Sequence, residues 1–140
     1  MGIIPEPLAE TTLIGDSNGE ECIISDMSEQ LIEMVNHADA FIGLPSGLGS
    51  LEEIFTVASW ANLKIPQKPI GLLNVDEFFY YISIFLADAN KLGLISKLVK
   101  DIILTARKAD ELLDQILAYE PKIDPIISKL NWSDNDRGNK

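Results

Sequence analysis

The segment Leu44 to Glu53 reads LPSGLGSLEE and gathers Gly47 and Gly49, the hydroxyls of Ser46 and Ser50, and the carboxylates of Glu52 and Glu53. Glycines at this spacing let backbone amides approach a ligand closely. A helix starting just after them adds unpaired N–H groups and the positive end of its dipole, a combination that favours a phosphate. Ser46 and Ser50 add hydroxyl donors. Glu52 and Glu53 are expected in the first helical turn, so one molecule would have its phosphate at the loop and its reacting centre near an acid. The same residues also serve structure, because Gly and Ser commonly start helices and Glu near a helix N-terminus is stabilising without any chemical task. Spacing alone leaves both readings open.

Other reactive side chains are few. His37 is the only histidine and Cys22 the only cysteine, which excludes a His pair, an intrachain disulfide and a cysteine-based metal site. His37, at the end of a helical pattern, is expected as a C-terminal dipole partner. Cys22 lies beside Glu20 and Glu21, a setting with no cation to activate a nucleophile.

The elements that must position the loop follow from apolar periodicity. Residues 1–24 contain Pro5, Pro7, Gly15 and Gly19 and read as a loop opening with the stub of a strand. Met27, Leu31, Met34, Val35 and Ala38 recur at helical spacing, with Ser25 or Asp26 as the cap. Ala40 to Leu44, AFIGL, is a short buried strand ending at Pro45. A second helix runs from about Ser50 to Leu63. Pro69 to Asn74 is the next strand, followed by a helix that Asp76 can cap and that carries Phe78, Phe79, Ile82, Phe85, Leu86 and Ala89. The aromatic run Phe78 to Tyr81 suits core packing or a dimer interface. Asp101 to Thr105 is the third strand, and a last helix extends from near Lys108 to Tyr119. Three apolar strands separated by helices imply right-handed crossovers and a parallel sheet flanked by helices, an α/β class.

Charge narrows the partners. Eleven Lys and Arg face 22 Asp and Glu in 140 residues, a formal charge of −11. No Lys or Arg occurs before Lys64, while Glu120 to Lys140 is balanced. The basic footprint of a nucleic-acid or anionic-membrane binder is missing. No apolar run approaches the roughly 20 residues of a membrane helix, and MGIIPEPLAETT lacks the charged start of a signal peptide. A soluble cytoplasmic protein is expected, with the nucleus as a second compartment.

The loop and its surroundings resemble a known family. LPSGLGSLEE is similar to the PGGxGTxxE motif of the LONELY GUY proteins, plant cytokinin-activating phosphoribohydrolases often mislabelled lysine decarboxylases. The stretch ADAFIGLPSGLGSLEEIFTVASWANLKIPQKPIGLLNVDEFF follows the family pattern, including Trp60, the KP before the next strand and the GLLNVD turn. The resemblance runs from Gly2 to about Pro121. It makes residues 1–121 a Rossmann-like domain and 122–140 a polar tail expected to be frayed. It implies a homodimer, no cofactor or metal, and hydrolysis of the N-glycosidic bond of a cytokinin riboside 5′-monophosphate to free base and ribose 5-phosphate. Glu53 matches the final Glu of the motif and takes the catalytic role; Gly47, Leu48, Gly49, Ser50, Leu51 and Glu52 shape the substrate loop. Ser59 matches a Thr that lines the family pocket. Such chemistry suits a carboxylate, which can stabilise the positive charge developing on the ribose and orient or deprotonate water.

Three departures stand out. The chain starts near the segment where family members read GVIP, so the first half of the domain, with its opening strand and glycine-rich loop, is expected to be absent. Gln30 and Leu31, in MSEQLIEM, occupy the positions of the Arg-Lys pair in the family pattern MHxRKAEM, which replaces a bidentate cation by a neutral amide. Ser46 replaces the first Gly of the PGG turn and would be strained if that position needed a positive φ. These departures support an alternative reading, a catalytically inactive paralogue acting as a dimerisation or nucleotide-binding module.

Overall fold

The computed structural model describes residues 1–9, 19–63, 65 and 68–122. The polar tail lies outside these from residue 123 onward. The chain divides into two units, residues 1–39 and 40–140.

The first unit is built on a parallel pair, β1 (Gly2–Pro5) and β2 (Glu21–Ile24), in the register Ile3 to Cys22 and Ile4 to Ile23. A short helix, α1 (Glu6–Ala9), follows β1. The loop expected over residues 1–24 is corrected here: the opening strand is real, and a second strand pairs with it. ECII is only four residues long and opens on a charged Glu, so it carries too little pattern to be read, and its partner across the sheet defines it. Helix α2 (Met27–His37) starts where expected. Asp26 is its cap: one carboxylate oxygen accepts the Ser28 and Glu29 amides at 2.8 and 2.9 Å. Glu29 reaches back to accept the Ser25 amide and hydroxyl at 2.8 and 2.6 Å, and the Ser25 hydroxyl first, then its amide, hold the Glu29 carboxyl below its ordinary value. Leu31 and Ile24 are buried.

The second unit has a three-stranded parallel sheet in the order β3 (Phe41–Gly43), β4 (Ile70–Leu73), β5 (Ile103–Ala106). Gly43 pairs with Leu72, which pairs with Thr105. Helix α3 (Leu48–Asn62) connects β3 to β4; α4 (Tyr80–Lys91) and the one-turn α5 (Lys97–Lys100) connect β4 to β5; α6 (Ala109–Leu117) follows β5. A Cβ on Gly43 would lie 2.8 Å from Leu72 Cδ2 and 3.2 Å from Ile54 Cγ1, and one on Gly71 would lie 2.8 Å from Leu112 Cδ1. Side chains alternate along a strand, so α3 covers one face of the sheet and α6 the other. Val57, Ile70, Leu72, Phe79 and Leu112 are the fully buried side chains of this core.

Three expectations change in this unit. Helix α3 begins at Leu48, two residues earlier than expected, because Gly47 already serves as its cap. Asp76 does not cap α4. It lies in a single 3₁₀ turn (Val75–Glu77) with φ of 48°, and Glu77 follows at 61°. The buried Asn74 closes the turn instead, its Oδ1 accepting the Phe79 amide at 2.7 Å. The third change is α5, a single turn capped by Ser96 that is too short to show a period. Of the aromatic run, Phe79 is core at 1% exposure while Phe78, Tyr80 and Tyr81 are exposed. No described helix is long and apolar enough to cross a membrane.

Candidate active site

In an open parallel sheet, ligands bind beyond the carboxyl ends of the strands, where loops lead into helix N-termini. Strand β3 ends at Gly43, and Leu44 to Gly47 carry the chain into α3. Among the described residues nothing lies within 4 Å of where a Cβ on Gly47 or Gly49 would stand, so the start of the helix is open to a ligand. Among the same residues no side chain caps α3, which leaves its first amides and its dipole available to an anion.

Ser46 is exposed and its hydroxyl donates to the Leu44 carbonyl at 2.9 Å. Its φ is negative, since Asp76 and Glu77 are the only non-glycine residues with positive φ among those described, so the condition for strain at this substitution is not met. The bond to Leu44 ties the turn together. Leu48 and Gly49 are exposed; Ser50 and Leu51 are half-buried.

The carboxylates sit one turn deeper than expected. Because α3 starts at Leu48, no acid occupies its first turn, and Glu52 and Glu53 belong to the second. They separate by side. Glu52 is exposed and accepts from the Thr56 hydroxyl at 3.3 Å. Glu53 is half-buried and lies one turn before the buried Val57. Burial, with a smaller contribution from the charge of Glu52, raises the Glu53 carboxyl above its ordinary value. Among the described residues no cation or donor offsets that burial. A carboxylate so placed is a stronger base than an exposed one and holds its charge close to a bound substrate.

Ser59 is not brought to Glu53. It lies two turns after Glu52 on the same exposed stripe, and it borders an apolar cavity of about 340 Å³ with Phe55, Phe85 and Leu94 that contains no residue of the glycine loop. Gln30 and Leu31 belong to the unit of residues 1–39. Gln30 is half-buried and its Nε2 donates to the Ile3 carbonyl at 3.1 Å; Leu31 is a core side chain at 6% exposure. Both positions therefore carry structure here. Sequence reasoning missed Asn74 and the ion pair between Arg107 and Glu77. The signal for Arg107 was its place, directly after the end of a strand.

A family model described as possible lysine decarboxylase matches residues 1–116. The chain belongs to this family. Its relatives carry the name that the LONELY GUY resemblance implies. The Arabidopsis thaliana protein named cytokinin riboside 5′-monophosphate phosphoribohydrolase LOG7 is 43% identical over 137 residues, covering 98% of this chain and 63% of the relative. An Oryza sativa subsp. japonica protein named probable cytokinin riboside 5′-monophosphate phosphoribohydrolase LOGL3 is 41% identical over 138 residues, 99% of this chain and 65% of the relative. The Arabidopsis LOG5 phosphoribohydrolase is 41% identical over 132 residues, 94% and 58% respectively. This LONELY GUY chain thus spans less than two thirds of the length of these relatives.

Proposed function

We propose that the protein is a phosphoribohydrolase that cleaves the N-glycosidic bond of cytokinin riboside 5′-monophosphates, with Glu53 as its catalytic carboxylate. The reading is carried by one observation: Glu53 is the half-buried acid of α3, desolvated and without a partner among the described residues, on the helix that begins at the open Gly47–Gly49 turn. The turn holds the phosphate end of the nucleotide through backbone amides. Glu53 faces the ribose, stabilises the oxocarbenium character of C1′ and takes a proton from the attacking water, whose oxygen bonds C1′; the base leaves with the electron pair of the broken C–N bond and takes up that proton, restoring the Glu53 carboxylate. The names of its relatives supply the substrate class.

The protein acts as a homodimer in the cytoplasm. Support for the dimer comes from the apolar surface of α4 and the residues after it, where Tyr81, Phe85, Leu92 and Leu94 are 79, 62, 73 and 75% exposed, more than a monomer ordinarily leaves uncovered in one place.

The test compares isopentenyladenosine 5′-monophosphate with isopentenyladenosine. Release of free base from the nucleotide and not from the nucleoside is the expected result, since the turn has a phosphate to hold only in the first. Equal rates would remove the phosphate from the reading. The Gln30 bond to Ile3 and the burial of Leu31 favour a second reading, a nucleotide-binding module without catalysis; binding of the nucleotide with no release of base would establish it.

A further inference from the structure

Parallel strands give a sheet two chemically distinct edges. In the unit of residues 40–140, Lys68 precedes β4, Lys97 and Lys100 precede β5, Lys91 ends α4 and Lys122 follows α6. Helices return antiparallel to the strands, so all five belong to the amino edge. Among the described cations only Arg107 and Lys108 follow the carboxyl end of a strand, the edge from which the Gly47 turn and Glu53 depart. The strand ends are level, because the Asn74 amide donates to the Ala106 carbonyl at 2.8 Å.

The acids of this edge are Glu52 and Glu53 on α3, Asp76 and Glu77 after β4, and Asp110 and Glu111 at the start of α6. Lys108 is drawn back along α6 by Glu111 at 3.8 Å. Arg107 pairs with Glu77 across the strand ends, and both side chains are exposed, 71 and 52%. Such a pair contributes little to stability and exchanges readily. Glu77 is held there by two consecutive left-handed residues, itself and Asp76, a backbone conformation that non-glycine residues adopt at a cost.

A phosphate dianion arriving at this edge finds no Lys or Arg anywhere in residues 1–63. We propose that Arg107 is the cationic contact for the 5′-phosphate, releasing Glu77 to water as the nucleotide binds. The proposal rests on the phosphoribohydrolase reading and adds to it the residue that supplies the missing positive charge. A guanidinium can take a phosphate through two parallel N–H···O bonds, which the neutral amide of Gln30 cannot do.

Ribose 5-phosphate titrated into the full chain by calorimetry tests it, with hydrolysis of isopentenyladenosine 5′-monophosphate measured in parallel. Arg107→Gln should weaken ribose 5-phosphate binding by about tenfold or more and raise KM more than it lowers kcat. Arg107→Lys should recover part of the loss, and Glu77→Gln should bind at least as tightly as the wild type, having lost the competing carboxylate. Melting curves identify any variant that has unfolded. If Arg107→Gln binds and turns over like the wild type, the proposal is overturned while the phosphoribohydrolase reading stands. If Glu77→Gln loses affinity as Arg107→Gln does, the pair is structural and the proposal is again overturned. A folded wild type that neither binds ribose 5-phosphate nor releases base overturns both.

Discussion

Glu53 separates from Glu52 by one residue of chain and by its environment. Its folded-state carboxyl is raised by burial, so the ionised form is disfavoured in the native state and folding binds a proton that the unfolded chain would have released. The resulting penalty is present above the folded value and disappears as pH falls below the unfolded one. Glu53→Gln is therefore expected to melt higher than the wild type at neutral pH, and the difference should shrink as the pH is lowered through the carboxylate range. Equal melting temperatures at every pH would mean that Glu53 is not desolvated. Glu52→Gln, at an exposed site, should show no such pattern. Leu31 gives the opposite case. Restoring the family's Lys at this position places an ammonium where 6% of the side chain is exposed, and Leu31→Lys should cost about 2 kcal/mol or more in a denaturant titration. A loss below about 0.5 kcal/mol would show that the side chain can reach water. The motif made Glu53 legible in the sequence; the burial that distinguishes it from Glu52 was not, because it depends on where α3 begins.

At the scale of elements, long periodic helices and fully apolar strands were readable, and short or locally irregular ones were not. AFIGL, PIGLLN and DIILT each form a strand, since short apolar runs bounded by turn residues are recognisable without alternation; only β4 proves buried on both faces, while Ile42 of β3 is 43% exposed. ECII lacks such a run and depends on pairing with GIIP. The start of α4 misleads for a different reason: an acid just before an apolar period looks like a cap, yet no side chain caps α4 among the described residues and the buried Asn74 Oδ1 holds the Phe79 amide just ahead of it. Asn74→Ala removes the acceptor of the Phe79 amide and unties a helix whose Phe79 is fully buried. A destabilisation of about 1–3 kcal/mol is expected by chemical denaturation. Stability within about 0.3 kcal/mol of the wild type would show that the turn is held by backbone bonds alone.

The whole molecule is acidic, with its Lys and Arg confined to residues 64–140, and among the described residues α4 and the residues flanking it carry a run of exposed apolar side chains. Sequence composition showed the first of these directly. The second required the structure, because the period of α4 does not reveal which of Phe79, Tyr81 and Phe85 face inward. Phe85→Asp replaces an exposed apolar side chain and, with α4 as the proposed subunit interface, should give a monomer by light scattering where the wild type gives a dimer, without lowering helix content. A wild type that is already monomeric would place the apolar surface of α4 outside any subunit interface. The carboxyl edge of the β3–β4–β5 sheet gathers the Gly47 turn, Glu53 and the Arg107–Glu77 pair from three separate segments, a grouping that spacing along the chain could not reveal. Of these, Glu53 is the group proposed to bear the reaction. The most direct measurement is therefore release of free base and ribose 5-phosphate from isopentenyladenosine 5′-monophosphate by the wild type and by Glu53→Gln, both verified as folded. Equimolar products from the wild type and a rate at least about a hundredfold lower in the variant are expected. Undiminished release by Glu53→Gln, or none by the wild type, would contradict the assignment.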